Sequence, residues 1–484
     1  MKKSALLGIV TLVLLAVGVF FYFRTMTDLK NIEFAKENTK VDSGIKVQKS
    51  LREQGKLEDS RDVRAINGGG NESVSTSQVA NVTQGDTINL RDFGVMGNGR
   101  NETAGFQKAL DAAVGKVLYI PKQQGSYYLT RQLLVPSNST LVFDSNVIVQ
   151  ATDDLRQAHA NFEALFRIEN ADNVNIKADN ALFRMNKSAY KGEHNHIFMI
   201  NGSSNVSIHN AKANDSGGDG FYIGAYKTAQ KFSKDIRIID CVADNNRRQG
   251  ISIISAKDVI VQNCVFSNTK GASPESGLDI EPNRFDDVLE NIVVEECMSI
   301  GNAGRGFMVA ISSFDYRSKP VSVSFDNCVA KSNYVGFASV YFLDGGTGNI
   351  FFNNCIAENS RYSGFLEASC SANGIRKTYT NCKAINNNNS RGRSDKNSFS
   401  SNFYIFESER QPRTTIGNSV FKNCVSEDNR KSASIERGIS VKETGKATAK
   451  NITISGFSSL GHNEEPINLM LKSKVNSANN IVVE

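Results

Sequence analysis

The 484-residue sequence contains no tryptophan, 7 prolines and 5 histidines. So few prolines beside 38 glycines exclude proline-rich and collagen-like architectures. The 8 cysteines occur without a Cys-x-x-Cys motif or a Cys/His pairing, which excludes a zinc ribbon or a redox dithiol. A strong charge of one sign is also missing. The formal net charge of +6 suits contact with an acidic polymer and is too diffuse for a nucleic-acid-binding surface. No metal site is read from the chain.

What is present is a globular composition, 40% hydrophobic and 22% charged, rich in Gly, Asn and Ser, as short strands joined by turns require. Residues 1–23 open with Lys2 and Lys3 and continue apolar from Ala5 to Phe23, close to the ~20 residues that cross a bilayer. The run ends in Phe-Phe-Tyr-Phe without a small-x-small cleavage site, so it reads as an uncleaved transmembrane signal anchor. Arg24, Lys30, Lys36 and Lys40 on its far side leave the positive-inside rule undecided. Residues 24–85 are polar and contain GGGNESVSTSQ, the texture of a stalk. From residue 86 onward the texture changes.

There a phrase recurs: IRIIDCVADNN, VIVQNCVFSNT, IVVEECMSIGN, VSFDNCVAKSN, IFFNNCIAENS, KTYTNCKAINN and SVFKNCVSEDN. Each is an alternating strand, a polar residue, a cysteine and a polar turn, repeated at irregular intervals. Runs of helical periodicity are missing from these repeats. A constant phrase with variable inserts describes a solenoid, and the alternation makes it all-β: a right-handed parallel β-helix over 86–484. Stacked coils place Cys241, Cys264, Cys297, Cys328, Cys355, Cys382 and Cys424 in an internal ladder of small apolar residues. The Asn, Asp or Glu before each cysteine is expected to stack at a turn and bond unpaired backbone.

The head of this region, INLRDFGVMGNGRNETAGFQKALDAA…VLYIPKQQGSYYLT (88–130), resembles the opening of the pectate-lyase-like superfamily. The likeness is to the branch of rhamnogalacturonan-degrading enzymes, epimerases and phage tailspikes. The resemblance implies an N-terminal capping helix, with Asn101 or Thr103 as its cap and Phe106, Ala109, Leu110 and Ala113 on one face. It also implies action on polysaccharide.

A second phrase follows each cysteine: DGFYIG, QGISII, SGLDIE, RGFMVA, VGFASV, SGFLEA and RGISVK. If the bulky residue after each glycine points inward, period two sends Tyr222, Ser252, Asp279, Met308 and Ala338 outward, then Glu281 beside Asp279. Carried backward, the same parity places Arg248 and Glu275 outward. Asp279 and Glu281, on a partly apolar and solvent-facing wall, are the candidate catalytic acid and base, since close carboxyls push their pKa values apart. Pro282 ends the strand directly after them.

Substrate-binding candidates are Asp219, Tyr222, Arg248, Glu275 and Asn283. Arg248 is a bidentate clamp for a uronate carboxylate, and Tyr222, Tyr334 and Tyr341 are sugar platforms. Asp279, Glu281 and Asn283 supply only oxygen ligands, so calcium is the one cofactor left open. His194 and His196 face one way as polar residues near an entry loop, and His159, His209 and His462 stand alone. The stretches SGGDGFYIG, RRQGISIISA and SGLDIEPN faintly resemble polygalacturonases, but Arg248-Gln249-Gly250 stands where those enzymes have Gly-His-Gly. Alginate epimerases carry Asp-Pro-His-Glu where this chain has Asp279-Ile280-Glu281-Pro282.

The expectation is a membrane-anchored enzyme of the cell envelope, its domain outside the cytoplasm, cleaving or modifying an acidic polysaccharide. The alternatives are a uronan lyase or C5-epimerase, and a non-catalytic polysaccharide-binding or export scaffold. The closing NNIVVE reads as one more strand, whose end inserted loops or a second copy would cover.

Overall fold

The computed structural model describes residues 86–388, 401–431, 435, 437–461, 466–471 and 479–484. The expected anchor (1–23), the stalk (24–85) and His462 lie outside them. Among the described residues no helix is long and apolar enough to cross a membrane.

Alternation with period two dominates the strands, and the chain pairs each strand with its counterpart one coil further on. The result is three parallel sheets of 14, 12 and 12 strands among the described residues, each adding one strand per coil in sequence order. The closing strand, Ile481–Val483, joins the 14-stranded sheet beside Thr448–Ser455. Like residues therefore stack. Phe307, Phe337, Phe365 and Phe403 form one column, with ring centroids 4.9, 4.9 and 4.8 Å apart. Phe325, Phe352, Tyr379 and Phe421 form another, at 5.0, 4.7 and 4.7 Å.

The seven ladder cysteines are buried and free. Each residue before them turns left-handed, with φ between 52° and 56° from Asp240 to Asn423. Asn and Asp tolerate that region best among side-chain-bearing residues, which explains the recurring Asn. Their amides differ from expectation. Asn354 donates to Asn327 and Asn381 to Asn354, both at 3.2 Å, so these amides bond to the asparagine one coil before.

The helix Thr103–Ala112 buries Phe106, Ala109 and Leu110, and Ala113 just beyond it is also buried. The N-cap position falls on Glu102, whose side chain makes no capping bond, instead of Asn101 or Thr103; Asn101 Oδ1 accepts from the Thr103 amide at 3.1 Å.

Five neighbouring strands of one 12-stranded sheet carry the site: β1 (Phe166–Glu169), β2 (Phe198–Asn201), β3 (Asp219–Gly224), β4 (Gln249–Ile253) and β5 (Ser276–Ile280). Phe221, Ile251 and Leu278 after the glycines enter the main core. The glycines face inward too. A Cβ on Gly220 would lie 2.9 Å from Ala243 Cβ, one on Gly250 3.0 Å from Phe266 Cβ, and one on Gly277 2.1 Å from Ser299 Oγ. Two successive inward residues break the alternation. The outward residue before each glycine is therefore Asp219, Gln249 or Ser276, one position later than backward parity places Arg248 and Glu275.

Candidate functional site

The outward column of this sheet runs Arg167, Met199, Tyr222, Ser252, Asp279 and Met308 in register. Asp279 thus leaves the core as expected, but it does not face solvent: it is 0% exposed, as is Asp219. This corrects the solvent-facing acidic rung. Asp279 accepts from Gln249 Nε2 at 2.7 Å, and Asp219 accepts from Ser252 Oγ at 2.8 Å. Met308, Ala338 and Leu366 continue the column downstream as a separate apolar cluster.

Arg248 joins the acids. Its Nη2 donates to Glu281 Oε2 at 2.9 Å and its Nη1 to Ser252 Oγ at 3.4 Å. Nη1 lies 3.8 Å from Asp219 Oδ2, and Nε lies 3.5 Å from Glu193 Oε2. Three carboxylates of its own chain thus surround the guanidinium proposed as a uronate clamp. The Glu281 side chain is 35% exposed and that of Arg248 17%; Glu281 is the acid of the pair that solvent reaches.

Burial pushes Asp219 up to about 7, against the opposing pull of Arg248 and the Ser252 hydrogen bond. Burial raises Asp279 well above the carboxylate range, and the neighbouring Glu281 adds to the shift. Arg248 is held more firmly charged: burial opposes this, but Asp219, Asp279 and Glu281 outweigh it. Asp219 Oδ1, Asp279 Oδ1 and His196 Nε2 are buried without a hydrogen-bond partner. Orphan polar atoms gathered in one place mark a functional site or a strain reservoir.

His196 is buried and neutral, its pKa depressed by desolvation. Its Nδ1 accepts the Asp219 amide at 3.0 Å, so the 3.3 Å approach of Asp219 Oδ2 to that nitrogen is not an ion pair. Tyr222 stacks on the His196 ring at 4.9 Å and 21°, and burial raises its hydroxyl. That contact occupies one face of the ring expected to stand as a free sugar platform.

Two candidates bond elsewhere than to the acid cluster. Glu275 has φ 58° and accepts from the Gly271 amide at 2.7 Å, so it closes its own loop. Asn283 is exposed beyond Pro282, and its backbone N–H donates to Asp287 Oδ2 at 2.8 Å. No group of three or more His, Cys, Asp or Glu residues fit to hold a metal ion occurs among the described residues. Sequence reasoning missed Gln249, Glu193 and one histidine pair. His159, expected to stand alone, brings Nδ1 to 2.6 Å from His194 Nε2. The two are 35 residues apart, and no local pattern announces that contact.

Fold and site together define a right-handed parallel β-helix protein with a buried acid cluster on one outer wall. A family model described as "Right handed beta helix region" matches residues 133–285 and 167–341. An uncharacterized protein of Bacillus subtilis (strain 168), YclG, is 26% identical over 225 residues, 40% of this chain and 38% of that one. The chain thus spans well under half the length of that relative. Among solved structures, the Dettilon tailspike protein aligns with TM-score 0.55 at 11% identity, covering 79% of this chain and 68% of that one. The family 28 exopolygalacturonase of Yersinia enterocolitica aligns with TM-score 0.51 at 12% identity, covering 82% and 78%. At these identities the likeness is one of fold.

Proposed function

We propose that the protein is a polysaccharide-acting β-helix enzyme in which Asp279 and Asp219 carry protons and Glu281 presents the solvent-facing carboxylate. One observation carries this reading: two buried carboxyls, each with an unpartnered oxygen, lie beside a solvent-accessible glutamate held by a single arginine. Acid–base chemistry at a sugar bond needs a proton-holding acid beside a proton acceptor, and pairs of carboxyl groups serve glycoside hydrolysis. Hydrolysis is the first reading; elimination and C5-epimerisation use the same acid–base pair. The fold shared with an exopolygalacturonase is compatible with all three.

In this reading residues 1–23 anchor the chain in a membrane, 24–85 form the stalk, and the coil from residue 86 stands outside the cytoplasm. The helix Thr103–Ala112 caps the first coil.

The full burial of Asp279 and Asp219 favours a second reading, a non-catalytic glycan-binding protein, and the tailspike fold is equally compatible with it. Turnover decides between them. The full-length chain is offered a panel of polysaccharides, with new reducing ends and unsaturated products measured separately. Asp279→Asn and Glu281→Gln are each expected to lower the rate about 10²–10⁴-fold. Unchanged rates in both variants remove these residues from the mechanism, and binding without product establishes the second reading.

A further inference from the structure

Downstream of Asp279 the same wall continues on β6 (Arg305–Ala310) and β7 (Val335–Val340). Register sets the residues before the glycines in one column: Asp219, Gln249 and Ser276, then Arg305 and Val335. Two of these reach one coil ahead, to the outward residue three places past their neighbour. Asp219 accepts from Ser252 at 2.8 Å, and Gln249 donates to Asp279 at 2.7 Å. Ser276 turns its hydroxyl to the Pro274 carbonyl at 3.5 Å. For Arg305 the matching residue is Ala338, whose side chain offers no acceptor.

The Arg305 guanidinium consequently lacks a counterion. Its Nε is buried with no hydrogen-bond partner, while the residue as a whole is part-exposed. Arg167 and Arg248 on this wall are paired, with Glu169 at 2.5 Å and with Glu281 at 2.9 Å. Arg305 has no such pair among the described residues. By register it has Asp279 on one side and Tyr334, directly before β7, on the other. Burial raises Asp279 and the Tyr334 hydroxyl, and Arg305 pulls both the other way. A protonated Asp279 supplies no charge to meet it. Tyr334 is 36% exposed, and Arg361 adds a second guanidinium 5.9 Å from its ring centroid.

We propose that Arg305 sets the specificity of this wall by taking the carboxylate of a uronic-acid unit in the bound polysaccharide, one strand past Asp279. The proposal rests on the acid–base reading only for the position of the reacting bond. A partly desolvated cation without an acceptor is unfavourable, and an incoming anion relieves it. A guanidinium meets a carboxylate with two parallel charge-assisted bonds; a neutral hydroxyl accepts one and leaves the charge unmet. Arg248, expected to be the uronate clamp, already donates to Glu281 and Ser252. At about 4.8 Å per strand, Arg305 lies one rung from Asp279. The carboxylate and the reacting bond then belong to the same or adjoining sugar units.

The test is equilibrium binding of the full chain to oligogalacturonates, oligomannuronates and oligoglucuronates, each beside its carboxyl-reduced counterpart, with product release followed in the same samples. At least one uronate is expected to bind about tenfold more tightly than its reduced form. Arg305→Gln is expected to abolish that difference without lowering the thermal midpoint, because the folded chain loses no bond, and Arg305→Lys to restore part of it. Equal binding of every pair, a preference that persists in Arg305→Gln, or no binding of any oligomer overturns the proposal. So does a lower midpoint in Arg305→Gln with the preference intact, which would make the residue structural. Arg305-dependent binding of uronates without product keeps the subsite and removes the enzyme; product formation with equal binding of both forms does the reverse.

Discussion

Arg248 and Glu281 stand at opposite ends of neighbouring strands, one before β4 and the other after β5, yet the guanidinium reaches the carboxylate at 2.9 Å. The arginine side chain therefore runs along the outer wall past Ser252 and Asp219. Its charge opposes the effect of burial on both Asp219 and Asp279.

Removing that side chain takes a charged donor from Glu281 and Ser252. Arg248→Ala is expected to destabilise the coil by about 1.5–3 kcal/mol, read as a lower denaturant midpoint. Arg248→Lys should recover only part of this, because an ammonium lacks the fork that spans two partners. A midpoint unchanged in Arg248→Ala would mean that the acids do not depend on it.

Asp219 sets a pH dependence. The unfolded chain ionises near 3.8, whereas the folded chain keeps the proton up to about 7. Between those values the folded state binds more protons, so stability present at acid pH falls as pH rises from about 4 to about 7 and then levels. Asp279, shifted in the same direction, adds to the fall. Asp219→Asn should flatten the slope, matching wild type near pH 4 and exceeding it near pH 8 in urea unfolding. A wild-type stability that rises over this window contradicts the assignment.

The inward glycines are steric requirements. Gly277→Ala would bring its Cβ to 2.1 Å from Ser299 Oγ and 2.7 Å from the Gly306 carbonyl, and a loss of about 2–3 kcal/mol is expected. Gly192→Ala meets nothing nearer than the Gln157 carbonyl at 3.7 Å and should change stability by less than about 0.5 kcal/mol. Thermal midpoints of the two variants provide the comparison; equal midpoints would refute the packing argument.

The cysteines should be silent. All eight are buried and free, and burial raises the thiols of Cys241, Cys297, Cys328, Cys355 and Cys382. No thiol is open to solvent, Cys264 included, although against burial its neighbours Cys241 and Cys297 pull its pKa down. A chromogenic disulfide reagent should therefore titrate none in the native protein and all eight after denaturation. Rapid labelling of the native protein would place at least one thiol outside the core.

Much of the wall was legible beforehand. The residue after each glycine is inward at Phe221, Ile251 and Leu278, and Tyr222, Ser252 and Asp279 share one outward column. The alternation failed at the glycines, because a residue without a side chain gives no sign of the face it turns to. Gln249 consequently took the outward place assigned to Arg248. Gln249 looked like an ordinary polar residue, although it holds Asp279.

Local order was enough to specify the coil. Period-two strands, an asparagine suited to positive φ before each cysteine and a recurring small residue are short-range demands that each repeat meets alone. Proton ownership is a different kind of property. Asp279 ranks as a buried acid because Gln249 and Arg248 reach it from the preceding coil while Glu281 stands beside it on its own coil. The field at a carboxyl depends on distance through space, and only the stacking of coils sets those distances.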